Sequence, residues 1–97
     1  MQNGLKKIVF LGSRVNVINE LLMDDKCINL TIYALKNSLL ESFLIESNIE
    51  HNVFSMHDKN KCLKELFLLD FDILISNGCP IIFPVDKFKK KQILINI

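Results

Sequence analysis

Asp70-Phe71-Asp72-Ile73-Leu74-Ile75-Ser76-Asn77-Gly78-Cys79-Pro80-Ile81-Ile82-Phe83-Pro84, followed after a basic linker by Ile93-Leu94-Ile95-Asn96-Ile97, is the stretch whose reading decides the fold. An apolar run bounded by Asp72 and Ser76 is the pattern of a parallel strand covered on both faces. Ser76-Asn77-Gly78 then reads as turn chemistry able to place one residue at positive φ, and Pro80 fixes φ and removes a donor. A loop at the carboxyl end of a strand is where open α/β sheets bind ligands.

Working outward, the rest of the chain repeats strand and helix. Lys7 to Gly12 is a buried strand, and Gly12-Ser13 is a turn into a helix that Ser13 would cap, with Val15, Ile18, Leu21 and Leu22 inward. Ile28 to Ala34 has the β-branched and aromatic content of a second strand. Ser38-Leu39-Leu40-Glu41 matches the capping box at a helix start, Asn48 closes that helix, and a short strand follows around Asn52, Val53 and Phe54. A third helix begins near Asp58 with Cys62, Leu63, Leu66, Phe67 and Leu69 on one face. Five strands joined mainly by helices demand right-handed crossovers and a Rossmann-like, doubly wound parallel sheet, for which the expected strand order is 3-2-1-4-5.

Composition bounds the function. A chain of 97 residues, 49% hydrophobic and 24% charged, is one domain that buries roughly 60 to 70% of its unfolded surface. A net charge of +1, with acidic and basic residues interleaved, provides no broad field for nucleic acid. The apolar run from Ile8 to Leu11 is too short for a signal core or a membrane span, so a cytoplasmic protein is expected. Cys27, Cys62 and Cys79 are odd in number and widely spaced, which indicates neither a disulfide framework nor a metal site. Gly12-Ser13-Arg14-Val15-Asn16-Val17 has one glycine where a dinucleotide fingerprint needs three. Ser13 and Arg14 at the helix start read either as a holder for one anionic group of a substrate or as a helix cap beside a solvated arginine. His57-Asp58 reads as a solvated loop and helix cap rather than an acid-base pair. Lys87, Lys89, Lys90 and Lys91 read as a wetted connection.

The ordered pair Asn77-Gly78-Cys79-Pro80-Ile81-Ile82-Phe83 and Asn96-Ile97, with Lys7-Ile8-Val9-Phe10-Leu11-Gly12-Ser13 as the opening strand, resembles the formyltransferases that use 10-formyltetrahydrofolate. In that family a strand runs into a glycine turn and an apolar loop, and the next strand carries Asn-x-His. The wording Ser76-Asn77-Gly78-Cys79-Pro80 is most similar to the branch that formylates amino sugars on nucleotide carriers, ahead of the branches acting on methionyl-tRNA or a purine precursor. The resemblance implies acyl transfer, with the folate as cosubstrate and a nucleotide-linked amino sugar as acceptor. It implies a pterin slot made by Gly78, Pro80, Ile81, Ile82 and Phe83, and it makes Asn96 the amide that bonds the developing oxyanion. By itself, an end-of-strand asparagine more simply bonds its own backbone. The family histidine is expected directly after Ile97 and its aspartate later. Residues 1–97 then form an N-terminal formyltransferase-like domain that is inactive alone. The competing expectation is a non-enzymatic α/β module that binds a partner, or dimerises, through Ile93-Leu94-Ile95 as an exposed edge.

Overall fold

A computed structural model of the chain describes residues 6–23, 28–79, 88–89 and 91–97. The elements run β1 (Lys6–Gly12), α1 (Asn16–Met23), β2 (Ile28–Leu35), α2 (Leu39–Glu46), β3 (Asn52–Phe54), a single 3-10 turn at Met56–Asp58, α3 (Lys59–Leu68), β4 (Ile73–Asn77) and β5 (Ile93–Asn96). All four ladders are parallel, and the strand order is β3-β2-β1-β4-β5, the order expected from the sequence. The direction of strand addition reverses between β1 and β4.

Alternation along each strand sends its side chains into two cores. Val9, Leu11, Tyr33, Phe54 and Leu74 meet Cys62 and Leu66 of α3 on one face. Ile8, Phe10, Ile32, Ala34 and Ile75 meet Ile18 of α1 with Leu40 and Leu44 of α2 on the other. Helices on both faces explain why β1 and β4 read as unbroken apolar runs. Phe10, Leu11 and Leu74, each at most 1% exposed, contribute roughly 1.5–3 kcal/mol apiece by leaving water. Among the described residues no helix is long and apolar enough to cross a membrane.

Local chemistry sets the helix ends. Ser38 Oγ accepts the Glu41 N–H at 3.2 Å, while Glu41 Oε1 accepts the Asn37 N–H at 2.7 Å, so the reciprocal arm of the box reaches one residue further back than the pattern implies. Asn48 takes φ 56° just past α2. Asn48 N–H then donates to Ile45 O and Ile49 N–H to Leu44 O, which closes a Schellman motif. At the first helix the structure differs from the expectation: α1 begins at Asn16, and the Ser13 hydroxyl turns to β4 instead of capping it.

Two anchors hold β4 and β5 in place. The Asp72 carboxylate accepts the Lys7 N–H at 2.8 Å, and Asp72 N–H returns to Lys7 O at 2.8 Å, which ties the start of β4 to β1. Gln92 donates from Nε2 to Phe71 O at 3.2 Å and accepts the Lys89 N–H at 2.9 Å, while Ile93 N–H donates to Asp72 O at 2.9 Å. Phe88 packs edge-on against Phe67 and Phe71 with centroids 5.0 and 5.8 Å away. The return into β5 therefore starts from a pinned position, and its register against β4 follows.

Candidate functional site

The carboxyl ends of β1, β4 and β5 carry the residues singled out by sequence. Gly12 ends β1 opposite Asn77 at the end of β4. A Cβ on Gly12 would stand 1.9 Å from Asn77 O, so only glycine lets the two main chains approach. Ser13 uses both of its donors on the same neighbour: its N–H reaches Asn77 O at 3.0 Å and its hydroxyl reaches Gly78 O at 2.8 Å. Its own carbonyl accepts the Leu40 N–H at 3.2 Å. Ser13 is thus a staple joining β1, β4 and α2, and in this arrangement neither donor faces an incoming anion. Arg14 is exposed, and its side chain lies beside Gly78.

Gly78 takes φ 73°. The positive φ expected of Ser76-Asn77-Gly78 falls on the glycine, and a side chain there would meet Ser13 Oγ at 2.6 Å and Arg14 Cγ at 2.9 Å. Ser76 and Asn77, read as turn residues, are instead the last two residues of β4 and are buried, because Leu11 and Gly12 continue to pair with them. Asn77 Nδ2 donates to Asn16 Oδ1 at 3.1 Å, linking β4 to the first turn of α1, and Asn77 Oδ1 is buried without a partner. Ser76 Oγ on the opposite face is also buried and unpartnered. Polar residues at the end of an otherwise apolar, doubly covered strand were the sequence signal for both.

Asn96 closes β5 in register with Ser76, and Ile97 N–H donates to Ser76 O at 2.8 Å. The carboxamide of Asn96 is exposed at the carboxyl edge. The structure therefore brings Ser13, Arg14 and Gly78 into one corner and sets Asn96 one strand away. Pro80, Ile81, Ile82 and Phe83 lie outside the described residues, as do Cys27, Lys87 and Lys90.

The two histidines sit at the far side of the sheet. His51 and His57 flank β3, with β2 and β1 intervening before β4. Asp58 accepts a hydrogen bond from Ser55 Oγ at 3.1 Å, and both His57 and Asp58 are exposed. Beside β3 an open cleft of about 240 Å³ is lined by Tyr33, Asn52, Asp58, Lys61, Cys62 and Glu65 among others. Burial, with Glu65 and Cys62 adding to it, pushes the Tyr33 phenol up. Burial, with Cys79 and Glu65 adding to it, pushes the Cys62 thiol up to about 11, so this sulfur stays protonated and behaves as a small apolar group. No group of three or more His, Cys, Asp or Glu among the described residues is placed to hold a metal ion.

The arrangement can position and polarise. A carboxamide at the edge, a glycine-opened main chain at the crevice and one exposed guanidinium can bind a ligand oxygen and an anionic group with no change of protonation. No protein-family model, curated protein or solved structure matches this chain.

Proposed function

We propose that the carboxyl ends of β4 and β5 form the folate side of a formyl-transfer site whose acceptor is the amine of a nucleotide-linked amino sugar. The observation that carries the reading is the seat of Asn96 at the end of β5, paired with Ser76 two residues before the Gly78 turn. This corner adjoins the reversal between β1 and β4, where open α/β sheets take their ligands. In the proposed reaction the acceptor nitrogen attacks the formyl carbon of 10-formyltetrahydrofolate. The carbonyl oxygen gains negative charge, Asn96 Nδ2 donates to it, and the carbonyl re-forms as the bond from carbon to the folate nitrogen breaks, the proton released by the attacking amine being matched by the one that nitrogen takes up. Arg14 is the group to meet a phosphate of the nucleotide carrier.

Titration of the ¹⁵N-labelled chain with 5-formyltetrahydrofolate tests the binding half. Saturable shifts at Ser76 to Cys79 and at Asn96, weakened by Asn96→Ala, are expected; absence of saturable shifts up to millimolar ligand refutes the reading.

A second reading is favoured by the edge itself. Ile93, Ile95 and Ile97 are 55, 41 and 54% exposed on the face they share with Ile73 and Ile75. Of the described strands only β4 pairs with β5. Two copies related by a two-fold axis would pair β5 antiparallel and satisfy the open main chain. Sedimentation is expected to show dimers that Ile95→Lys abolishes; a monomer across a hundredfold concentration range refutes the pairing.

A further inference from the structure

Ser76 is 1% exposed, and its Oγ has no hydrogen-bond partner. A hydroxyl that gives up water without a replacement opposes folding, so an orphan in a packed strand calls for a physical reason. The nearby Ser13 hydroxyl is occupied, donating to Gly78 O. The register of the sheet supplies a partner for Ser76. Ser76 is paired with Asn96, and the pair two residues earlier, Leu74 and Leu94, packs into a single core. Because side chains alternate, Ser76 and Asn96 project from that same face, on strands roughly 4.8 Å apart. The Asn96 carboxamide is exposed, and no hydrogen bond among the described residues holds it.

We infer that Ser76 is a positioning residue for Asn96: its hydroxyl donates to Asn96 Oδ1 and thereby turns Nδ2 outward, toward a ligand oxygen. A carboxamide has two ends of nearly equal shape and opposite polarity. With Oδ1 outward it repels a developing oxyanion; with Nδ2 outward it donates to it. The hydroxyl can donate to Oδ1 or accept from Nδ2; only donation to Oδ1 leaves both Nδ2 hydrogens for a ligand oxygen, and it is the direction this role requires. Rotation of Asn96 toward the sheet brings the two groups together, and donation to Oδ1 polarises the amide, strengthening the outward N–H. The ligand in this inference rests on the formyl-transfer reading, whereas the pairing of the two side chains rests on the sheet register.

Side-chain NMR separates the two. In the ligand-free ¹⁵N-labelled chain, the Asn96 NH₂ signals are identified by their loss in Asn96→Ala. Ser76→Ala is expected to move them and Ser76→Thr to keep them near their wild-type positions. Should the threonine overpack the buried site and unfold the chain, Ser76→Cys keeps the volume with a weak donor and is expected to behave as the alanine. With 5-formyltetrahydrofolate, Ser76→Ala is expected to weaken binding about fivefold, the equivalent of one net hydrogen bond, and to add nothing once Asn96 is alanine. Unmoved Asn96 signals in free Ser76→Ala, or an equal loss of affinity with and without Asn96, overturns the inference. A wild-type chain that ignores the folate defeats the formyl-transfer reading instead, and the ligand-free comparison still decides the pair.

Discussion

Replacing Gly12 by alanine should be one of the costliest single-methyl changes in this protein. The added Cβ would sit 1.9 Å from Asn77 O and 2.8 Å from Asn77 C. An ordinary contact is about 3.5 Å, so the carbonyl must retreat by roughly 1.5 Å. There is little room for that, because Gly12 and Asn77 end the two central strands and Asn77 is fully buried. The retreat also breaks the 3.0 Å bond from Ser13 N–H. Overpacking and one lost hydrogen bond together give about 2–4 kcal/mol, against the roughly 5–15 kcal/mol that holds a domain of this size. The sign is informative, since glycine to alanine at an unstrained site stabilises by about 0.4–1 kcal/mol through the unfolded chain. Urea unfolding measures the loss, and hydrogen exchange at the Ser13 amide reports its location. A Gly12→Ala chain that loses less than about 0.5 kcal/mol, with the Ser13 amide still protected, would refute the close approach of β1 and β4.

Three further outcomes follow from the same geometry. Gly78→Ala forces a side chain into φ 73° against Ser13 Oγ, and should cost about 1–2 kcal/mol from the backbone alone, with the Ser13 and Arg14 amide signals moving most. Gln92→Ala leaves the Phe71 carbonyl and the Lys89 N–H without their side-chain partner; about 1–3 kcal/mol of destabilisation is expected, and exchange at the β5 amides should rise before exchange at β1. The Cys62 thiol, held up at about 11 when folded, ionises earlier when unfolded; its contribution is complete below the ordinary thiol range near 8.5 and disappears as pH climbs toward 11. Unfolding midpoints measured from pH 7 to 11 should therefore fall more steeply in the wild type than in Cys62→Ala, and parallel curves would contradict it.

What could be read from the sequence divides by the range of the interactions responsible. The Ser38 box and the left-handed Asn48 are settled within a few residues, so their chemistry is visible in the chain itself. The strands and the parallel, doubly wound class follow from apolar runs and their alternation with helices, which depend on pattern more than on particular partners; the order 3-2-1-4-5 is one of two common to that class. Ser13 shows the opposite case. Its hydroxyl had a local use as a cap and found a stronger claim 65 residues away at Gly78 O, which nothing near Ser13 announces. Ser76 and Asn77 have the composition of a turn, yet pairing with Leu11 and Gly12 keeps them in β4. Tertiary pairing overrides local preference at the corner where three strands end, which is also where the candidate site lies.

The whole functional reading turns on the parity of β5. A slip of one residue against β4 would set Ile95 or Ile97 beside Ser76 and carry Asn96 to the face of Ile75, where the proposed donor could not serve the same ligand. A strand of four uncharged, mostly branched residues has little in its own side chains to prevent such a slip. The restraint comes from outside it: Gln92 bound to the Phe71 carbonyl, Ile93 bound to Asp72, Phe88 wedged between Phe67 and Phe71, and Ile97 bound to Ser76. These restraints act at the first residue of the strand or just outside it, so the register is imposed at both ends. β5, which pairs with β4 alone among the described strands, is thereby held with Ile93 and Ile95 exposed on one face and Asn96, in register with Ser76, on the other.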